Sequence, residues 1–415
     1  MSCIATSPTR LQNMLDICVD YSRVWRFEFN ASKSCIMQFS LNQREHNVDF
    51  RWKIGEDVVP VSDCYTHLGI DLHARFKLND RITNRCRKGR NSYFAMNPTQ
   101  SISPHVLLKW YKLVVLPTVL YGCELWNNMK SCDISKLNRF QHFIAKHVQN
   151  LQTQTRSDMC ESLLGLYPIM TYIDIRKLFF LQKLCSLGVD CLTNQIFLTR
   201  LFSYFNDCHR KQFGFIPDII NILYKYELHG YLIDFLLDGH FPLKQSWKNI
   251  VINCVQSVQT NEWTNRVSSD SDFARFRLIH DSIKIWKPWS NFNSANDLRN
   301  SYFIAKLVTE IPNRVDGLCR ICKRQYFDIF VHVCCNCTVT QILQDTWFDI
   351  VIENFDLQLY LEISQYCEEQ LYQVLLGKLP ITPLTEVEQT LFYKLCCTHI
   401  IQCFAEFNRA TKMIQ

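Results

Sequence analysis

Glycine is the scarcest informative residue in this chain: 11 of 415 positions, roughly 2.7% against about 7% in an average protein. Such scarcity argues against folds built on glycine-rich phosphate loops. Neither G-x-G-x-x-G nor G-x-x-x-x-G-K-[ST] occurs in the sequence. Twelve prolines, 28 phenylalanines and 17 tyrosines accompany apolar positions at helical spacing, which predicts a compact, aromatic-rich and mainly α chain with a small antiparallel β part. The length allows one to three domains and ample core. With 45 Lys+Arg against 39 Asp+Glu the net charge is +6, an ordinary globular balance that excludes disordered and collagen-like classes.

Cysteine is abundant, at 21 residues. The odd number, the length of the chain and an opening Met1-Ser2-Cys3 without signal-peptide character point to free thiols. The expectation is an intracellular protein, in cytoplasm or nucleus, with no disulfide-linked partner. No membrane partner is expected either. The most apolar stretch, 106–126, is broken by Lys109, Lys112 and Glu124.

Leu11, Met14, Leu15, Cys18 and Val19 recur at helical spacing, with Ser7 as N-cap and Pro8 at the first helical position. Beyond Cys35 the period changes to two. Phe50, Trp52 and Ile54 alternate with charged residues, and Gly55-Glu56-Asp57 turns the chain into a second strand over 58–61. A further short strand is predicted over 68–72. Helix resumes near Arg81, and Ser103-Pro104 opens another that should kink or stop near Pro117. Asp133 is expected to cap an amphipathic helix carrying Ile134, Leu137, Phe140, Ile144 and Val148 on one stripe. Helical periodicity continues in pieces from 151 to 310 and again from 341.

Between Arg81 and Cys123 stand seven cations (Arg81, Arg85, Arg87, Lys88, Arg90, Lys109 and Lys112) and no acid. A phosphate backbone supplies counter-charge at that density and releases condensed counterions on binding. Tyr93, Phe94, Trp110 and Tyr111 lie close by and could stack on unpaired bases. The same charges also suit a solvated helix face backed by a core, with Ile82, Cys86 and Tyr93 on the inner side and Arg81, Arg85 and Lys88 on the outer.

Five cysteines fall between Cys319 and Cys337. The pattern Cys319-x2-Cys322-x9-His332-x4-Cys337 offers three thiolates and an imidazole, a closed tetrahedral set for a structural zinc ion. An alternative reading makes 331–335 a cysteine-rich apolar strand packed in a core. A second group, Cys396, His399 and Cys403, shares one helix face and reads as buried packing, because no fourth ligand accompanies it.

Catalytic signatures are lacking. Two-metal nucleotidyl transfer needs converging carboxylates, commonly adjacent ones, and the sequence holds no Asp-Asp dipeptide. Nor does it hold H-E-x-x-H or G-x-S-x-G. Asp63, Asp71 and Glu124 read as solvated surface acids.

Taken in order, several segments resemble the C-terminal part of a non-LTR retrotransposon reverse transcriptase, an RNA-directed DNA polymerase. WRFEFNASKS (25–34) is similar to the family's W-x-x-x-x-N-x-x-K-[ST] segment, and YTHLGIDL (65–72) to its Y-L-G primer-grip strand. KWYKLVVLPTVLYGCELW (109–126) resembles the thumb helix that ends in Y-G-x-E-x-W. LLGLYPIMTYIDIRKLFF and the Cys319–Cys337 pattern resemble the helices after the thumb and the CCHC cluster.

The resemblance implies a palm remnant over 1–74, a helical thumb over 75–150 and a helical connector over 151–312. A zinc segment over 313–340 and a helical tail over 341–415 follow. It further implies that the family's Y-x-D-D loop lies before residue 1, so that Mg²⁺ would be held only where a longer chain supplies the acids. Lys33 would lie near the triphosphate of an incoming nucleotide, Asn30 would fix its loop, and Leu68-Gly69 would contact the primer end. His67 stands where the family usually has tyrosine. The basic stretch would grip RNA or an RNA–DNA hybrid through backbone and shape. The implied role is that of a truncated reverse transcriptase that binds template–primer without catalytic carboxylates of its own. A non-enzymatic nucleic-acid-binding protein with a structural zinc site is the other reading of the same features.

Overall fold

Local signals set most element starts. A computed structural model describes residues 2–39, 50–74, 78–99, 101–206, 213–273, 276–289, 294–310, 317–326 and 328–414. The expected boundaries at 75 and 312–313 lie outside the described residues.

Helix α1 (Pro8–Val24) opens as its sequence predicts: Ser7 is extended, its Oγ accepts from the Arg10 amide, and Pro8 follows directly. Of its apolar stripe, Leu15 alone is buried. The Gln12 side chain clamps both backbone polar groups of Lys53, at 2.9 and 3.0 Å, and so ties α1 to the first hairpin, β1 (Lys53–Ile54) and β2 (Asp57–Val58). Gly55, at φ +65°, makes that turn. Leu15, Ile36, Trp52 and Val59 form a small core beneath it.

The strand predicted over 68–72 is instead the tip and second arm of another hairpin. Strands β3 (Cys64–His67) and β4 (Ile70–His73) pair antiparallel from Cys64↔His73 to His67↔Ile70. Leu68 and Gly69 turn the chain with φ of +48° and +76°, the left-handed pair of a two-residue turn that suits the twist of the flanking strands.

The helical body begins with α2 (Asn79–Phe94) and α3 (Pro104–Trp110), the latter capped by Ser103 as expected. A π-helical turn over Tyr111–Val115 then leads into α4 (Leu116–Val119). Pro117 has no N–H to give a regular helix, and the wide turn before it absorbs the defect. Helix α5 (Ser131–Val148) is capped differently from the sequence expectation. Lys130 is the cap, and Asp133 sits at the third helical position with its carboxylate accepting from the Lys130 amide at 3.4 Å. Leu137, Phe140, Ile144 and Val148 are buried as the stripe predicts. Gly89 lets α2 close on both neighbours: a Cβ there would stand 2.2 Å from Val119 and 2.9 Å from Phe140.

Next come α6 (Ser157–Leu163), α7 (Ile169–Cys185), α8 (Leu192–Asn206), α9 (Phe215–Lys225), α10 (His229–Asp238) and α11 (Lys244–Ser269). Short α12 (Phe276–Ile279) and α13 (Ala295–Glu310) precede a third hairpin, β5 (Gly317–Leu318) with β6 (Gln325–Tyr326). The chain ends in α14 (Ile329–Val331), α15 (Gln341–Asn354), α16 (Leu357–Ser364), α17 (Glu368–Leu375) and α18 (Glu386–Ile414). Two large cores result. One joins α2–α6 to α13–α18, and the other lies among α8–α11. Helix α7 serves both, through Ile169 and Ile173 in the first and Leu178 and Leu181 in the second. No helix among the described residues is long and apolar enough to cross a membrane.

Where α3, α5 and α6 meet, Gln141 accepts from Tyr111 and donates to the Glu161 carboxylate and the Tyr167 carbonyl at 2.8 Å each. Burial pushes the Glu161 carboxyl up to about 7. A carboxyl with its folded pKa above the unfolded value gives stability below the unfolded pKa and loses it as pH rises through the folded one. Stability should therefore fall by about 3 kcal/mol between about pH 4.5 and 7 from this group alone. Denaturant unfolding across that range should show the fall, and Glu161→Gln should flatten it; an equal fall in the variant would refute the assignment.

Candidate nucleic-acid interface and metal centre

The loop over 30–34 is fixed from within. Asn30 Oδ1 accepts from the Lys33 amide at 3.2 Å and from Ser32 Oγ at 2.6 Å, while Ser34 Oγ donates to the Asn30 carbonyl. Tyr65, on β3, donates to the Lys33 carbonyl at 3.3 Å and ties the loop to the second hairpin. The exposed Lys33 side chain and the Leu68-Gly69 tip therefore belong to one small unit.

That tip is seated on the helical body. Tyr121 Oη donates to the Leu68 carbonyl at 2.8 Å, and the Arg85 guanidinium donates to the Gly69 carbonyl. Arg85 also packs over the Tyr121 ring, 4.9 Å from its centroid. Gly122, at φ +75°, lies against Ile70, whose side chain a Cβ would meet at 3.3 Å. Leu68 itself projects outward, 78% exposed.

Arg85 corrects the sequence reading. Placed among the solvent-facing cations, it is buried, with its charge committed to the hairpin turn. Arg81, one turn earlier, is half-buried, and burial lowers its pKa even though Asp71 opposes the shift. Arg87, Lys88, Arg90 and Lys109 are exposed. Arg90 lies over Phe143 at 5.1 Å. Lys112 is exposed along its stem while its ammonium donates to the Gly165 carbonyl at 3.3 Å, and desolvation lowers its pKa. Of the neighbouring aromatics, Tyr93 and Tyr111 are buried in the core and Phe94 is exposed. The seat residue Tyr121 escaped the sequence reading as a contact; its Y-G-x-E-x-W setting was the signal.

The four sequence-predicted metal ligands come together. Cys319 and Cys322 lie in the turn between β5 and β6, which Cys319 closes by donating to the Arg324 carbonyl at 2.9 Å and accepting from the Lys323 amide at 2.9 Å. His332 follows α14, whose start Asp328 caps at 2.8 Å through the Phe330 amide. The ligand atoms of Cys319, Cys322, His332 and Cys337 all lie within 4.8 Å of one another, and all but half-buried Cys322 are buried. Cys322 Sγ is 3.5 Å from His332 Nε2, close to the edge of about 3.5 Å that zinc–sulfur and zinc–nitrogen bonds of about 2.3 and 2.0 Å subtend in a tetrahedron. This set can hold a metal ion such as zinc.

Electrostatics divide the ligands: burial pushes the Cys337 thiol up to about 12, so its thiolate needs a cation, whereas two others are already poised. Burial opposes a charge on Cys319, yet backbone amides of Cys322 and Ile321 and the neighbouring thiols hold its pKa below the ordinary thiol value. Burial also lowers the His332 pKa and so favours the neutral imidazole that ligates metal. The Tyr326 ring stacks on His332, with centroids 5.2 Å apart. Arg320, Lys323 and Arg324 ring the same turn in exposed positions.

The segment 331–335 is helical, not the strand of the alternative reading, because the Asp328 cap starts a helix that runs into a π turn at His332–Asn336. Cys334 and Cys335 point away from the four ligands. The Cys334 carbonyl is 3.0 Å from His399 Nε2, and Cys403 Sγ is 3.6 Å from His399 Nδ1. Cys396, His399 and Cys403 are buried as expected.

No known family profile matches the chain, and no solved structure matches it. A stretch of 142 residues, 33% of this chain, is 25% identical to a probable RNA-directed DNA polymerase from transposon X-element of Drosophila melanogaster. The match spans 15% of that protein. It supports a relationship to reverse transcriptases of transposons.

Two substitutions test the seat of the hairpin tip by chemical unfolding. Arg85→Ala removes a buried, charged donor from the Gly69 carbonyl and should cost roughly 2 kcal/mol; wild-type stability would show that the bond contributes nothing. Leu68→Asn replaces a γ-branched residue in left-handed backbone with one that tolerates it and should stabilise by about 1 kcal/mol.

Proposed function

We propose that this chain forms the gripping part of a non-LTR retrotransposon reverse transcriptase: palm edge, thumb, connector and zinc segment. It binds RNA or an RNA–DNA hybrid and does not itself polymerise. The observation that carries this reading is the seat of the Leu68-Gly69 tip on Tyr121 and Arg85. It fixes an exposed hairpin end, with Lys33 on the same unit, beside a helix that presents Arg87, Lys88 and Arg90. Arg81 and Lys88 lie one turn to either side of Arg85, so they flank the seat on the same stripe of α2. A primer end against the tip and a phosphate backbone along α2 would use both features at once.

Lys33 would meet the triphosphate of a nucleotide whose metal-holding acids come from elsewhere, since these 415 residues contain no adjacent aspartates. At Cys319, Cys322, His332 and Cys337 zinc would act structurally, with every coordination position filled by protein. Such a protein works in cytoplasm or nucleus, where its thiols stay reduced.

Hybrid binding to the full chain, followed by anisotropy over a salt series, tests the grip. The double variant Arg87→Gln, Lys88→Gln should flatten the log–log slope by about 1 to 2; an unchanged slope, or processive primer extension by this chain alone with Mg²⁺, would overturn the reading. Elemental analysis should find about one zinc per folded chain, lost on Cys319→Ser with His332→Ala. Zinc retained in that variant would count against the site.

A further inference from the structure

The fold assembles a second feature that no single stretch of sequence contains. Between α4 and α7 runs an open groove of about 600 Å³. Its floor is apolar, with Leu116 and Leu120 buried, and its wall carries the half-buried rings of Tyr172 and Phe179. Three cations rim it: Lys112, Arg176 and Lys183. Glu124 is the one lining carboxylate, and it stands 3.8 Å from Arg176. Lys183 is exposed and has no carboxylate within ion-pair distance among the described residues.

We propose that this groove binds an unpaired stretch of RNA, with bases stacked on Phe179 and Tyr172 and phosphates on Lys183 and Lys112. This deepens the template-binding function proposed above and rests on it. Three lines of chemistry favour this occupant. Rings beside cations are the arrangement by which proteins hold single strands without reading sequence, since every base has a π face and every linkage a charge. The excess of positive charge, three cations against one carboxylate, suits a polyanion and disfavours a purely apolar peptide, which would leave Lys183 unanswered. Finally, exposed Lys109 precedes Lys112 by one turn on the same helical run and adds a further positive charge beside the groove's rim.

The test compares two labelled probes, a short oligouridylate and an RNA–DNA hybrid, on the full chain. Lys183→Glu and Phe179→Leu, the second keeping apolar bulk while removing the ring, should each weaken oligouridylate binding about tenfold and leave hybrid affinity within about twofold. Unchanged oligouridylate affinity, or an equal loss on both probes, would overturn the groove. A wild-type chain that binds hybrid and not oligouridylate overturns it while the grip stands; a chain that binds neither overturns both. Should Phe179→Leu fail to fold, photocross-linking of 4-thiouridine RNA to the wild type decides. Adducts on α4 or α7 support the site, and adducts confined to other elements refute it.

Discussion

Helix α7 is held to α9 by two buried charges of opposite sign, and much of the architecture follows from that clamp. Lys177, 2% exposed, donates to the Trp126 carbonyl at 2.6 Å and pairs with Asp218. One turn earlier Asp174 accepts from Lys225 at 2.8 Å and from Tyr226 at 2.9 Å. Antiparallel packing brings Asp174 to Lys225 and Lys177 to Asp218. The parallel alternative would set acid against acid and amine against amine, with Asp174 and Lys177 buried and their α9 partners partly open to solvent. Such pairs contribute little net stability, because desolvation of the buried member offsets the attraction, but leaving that member against a like charge is penalised. Their effect is orientation. Since α7 supplies apolar residues to both cores, the clamp also fixes how one core sits on the other.

The bond from Lys177 to the Trp126 carbonyl extends that orientation to the proposed binding surface. Trp126 ends the segment that begins at Tyr121, and its ring is fully buried. Within six residues the chain thus seats the hairpin tip through Tyr121, passes Gly122 against Ile70, buries Cys123 and hands its last carbonyl to α7. A Y-G-x-E-x-W string is understandable as a joint: a ring with a hydroxyl to reach the turn, a residue without Cβ where strand and helix touch, and a large anchor. Glu124, the remaining fixed member, faces Arg176 across the groove. The expectation that this stretch ends a thumb helix named its sequence neighbourhood; its mechanical role emerges only from what it touches.

What could be read in advance was local. Ser7-Pro8 and Ser103-Pro104 mark helix starts because a cap and a ring-locked φ act within one turn. The stripe of α5 and the Gly55 turn are periodic or short-range in the same way. The four metal-ligand candidates were legible because their spacing fits one hairpin and one helix start. The misreadings share another cause. Leu68 carries no turn signal, and only the seat provided by Tyr121 and Arg85 favours left-handed backbone at a leucine. Arg85 looks like its neighbours until the hairpin folds over it. Lys130 caps α5 because Asp133 reaches back from inside the helix, a reciprocal arrangement that leaves the acid three positions later than expected. The groove is invisible in sequence because its cations come from α7 and from the helical run before α4.

In the cysteine-rich segment the thiols sort to two faces of one π turn, one set able to hold a metal and the other packed in the core. On one side of the π turn His332 faces the β5–β6 hairpin with Cys319, Cys322 and Cys337; on the other, Cys334 is buried against His399 and Cys403 of α18. The hairpin pairs only two residues per strand, too few to hold itself in water. Its attachment therefore depends on the four-ligand cluster and on Tyr326 stacking over His332. The opposite face joins the apolar core through Phe330, Val331, Val333 and Cys334. A metal at the cluster would thus connect a small exposed hairpin, carrying Arg320, Lys323 and Arg324, to the helical body through a single π turn. That turn places donors on both of its faces, which a regular strand would also do, but only the helical form lets His332 and Cys337 converge from the same side.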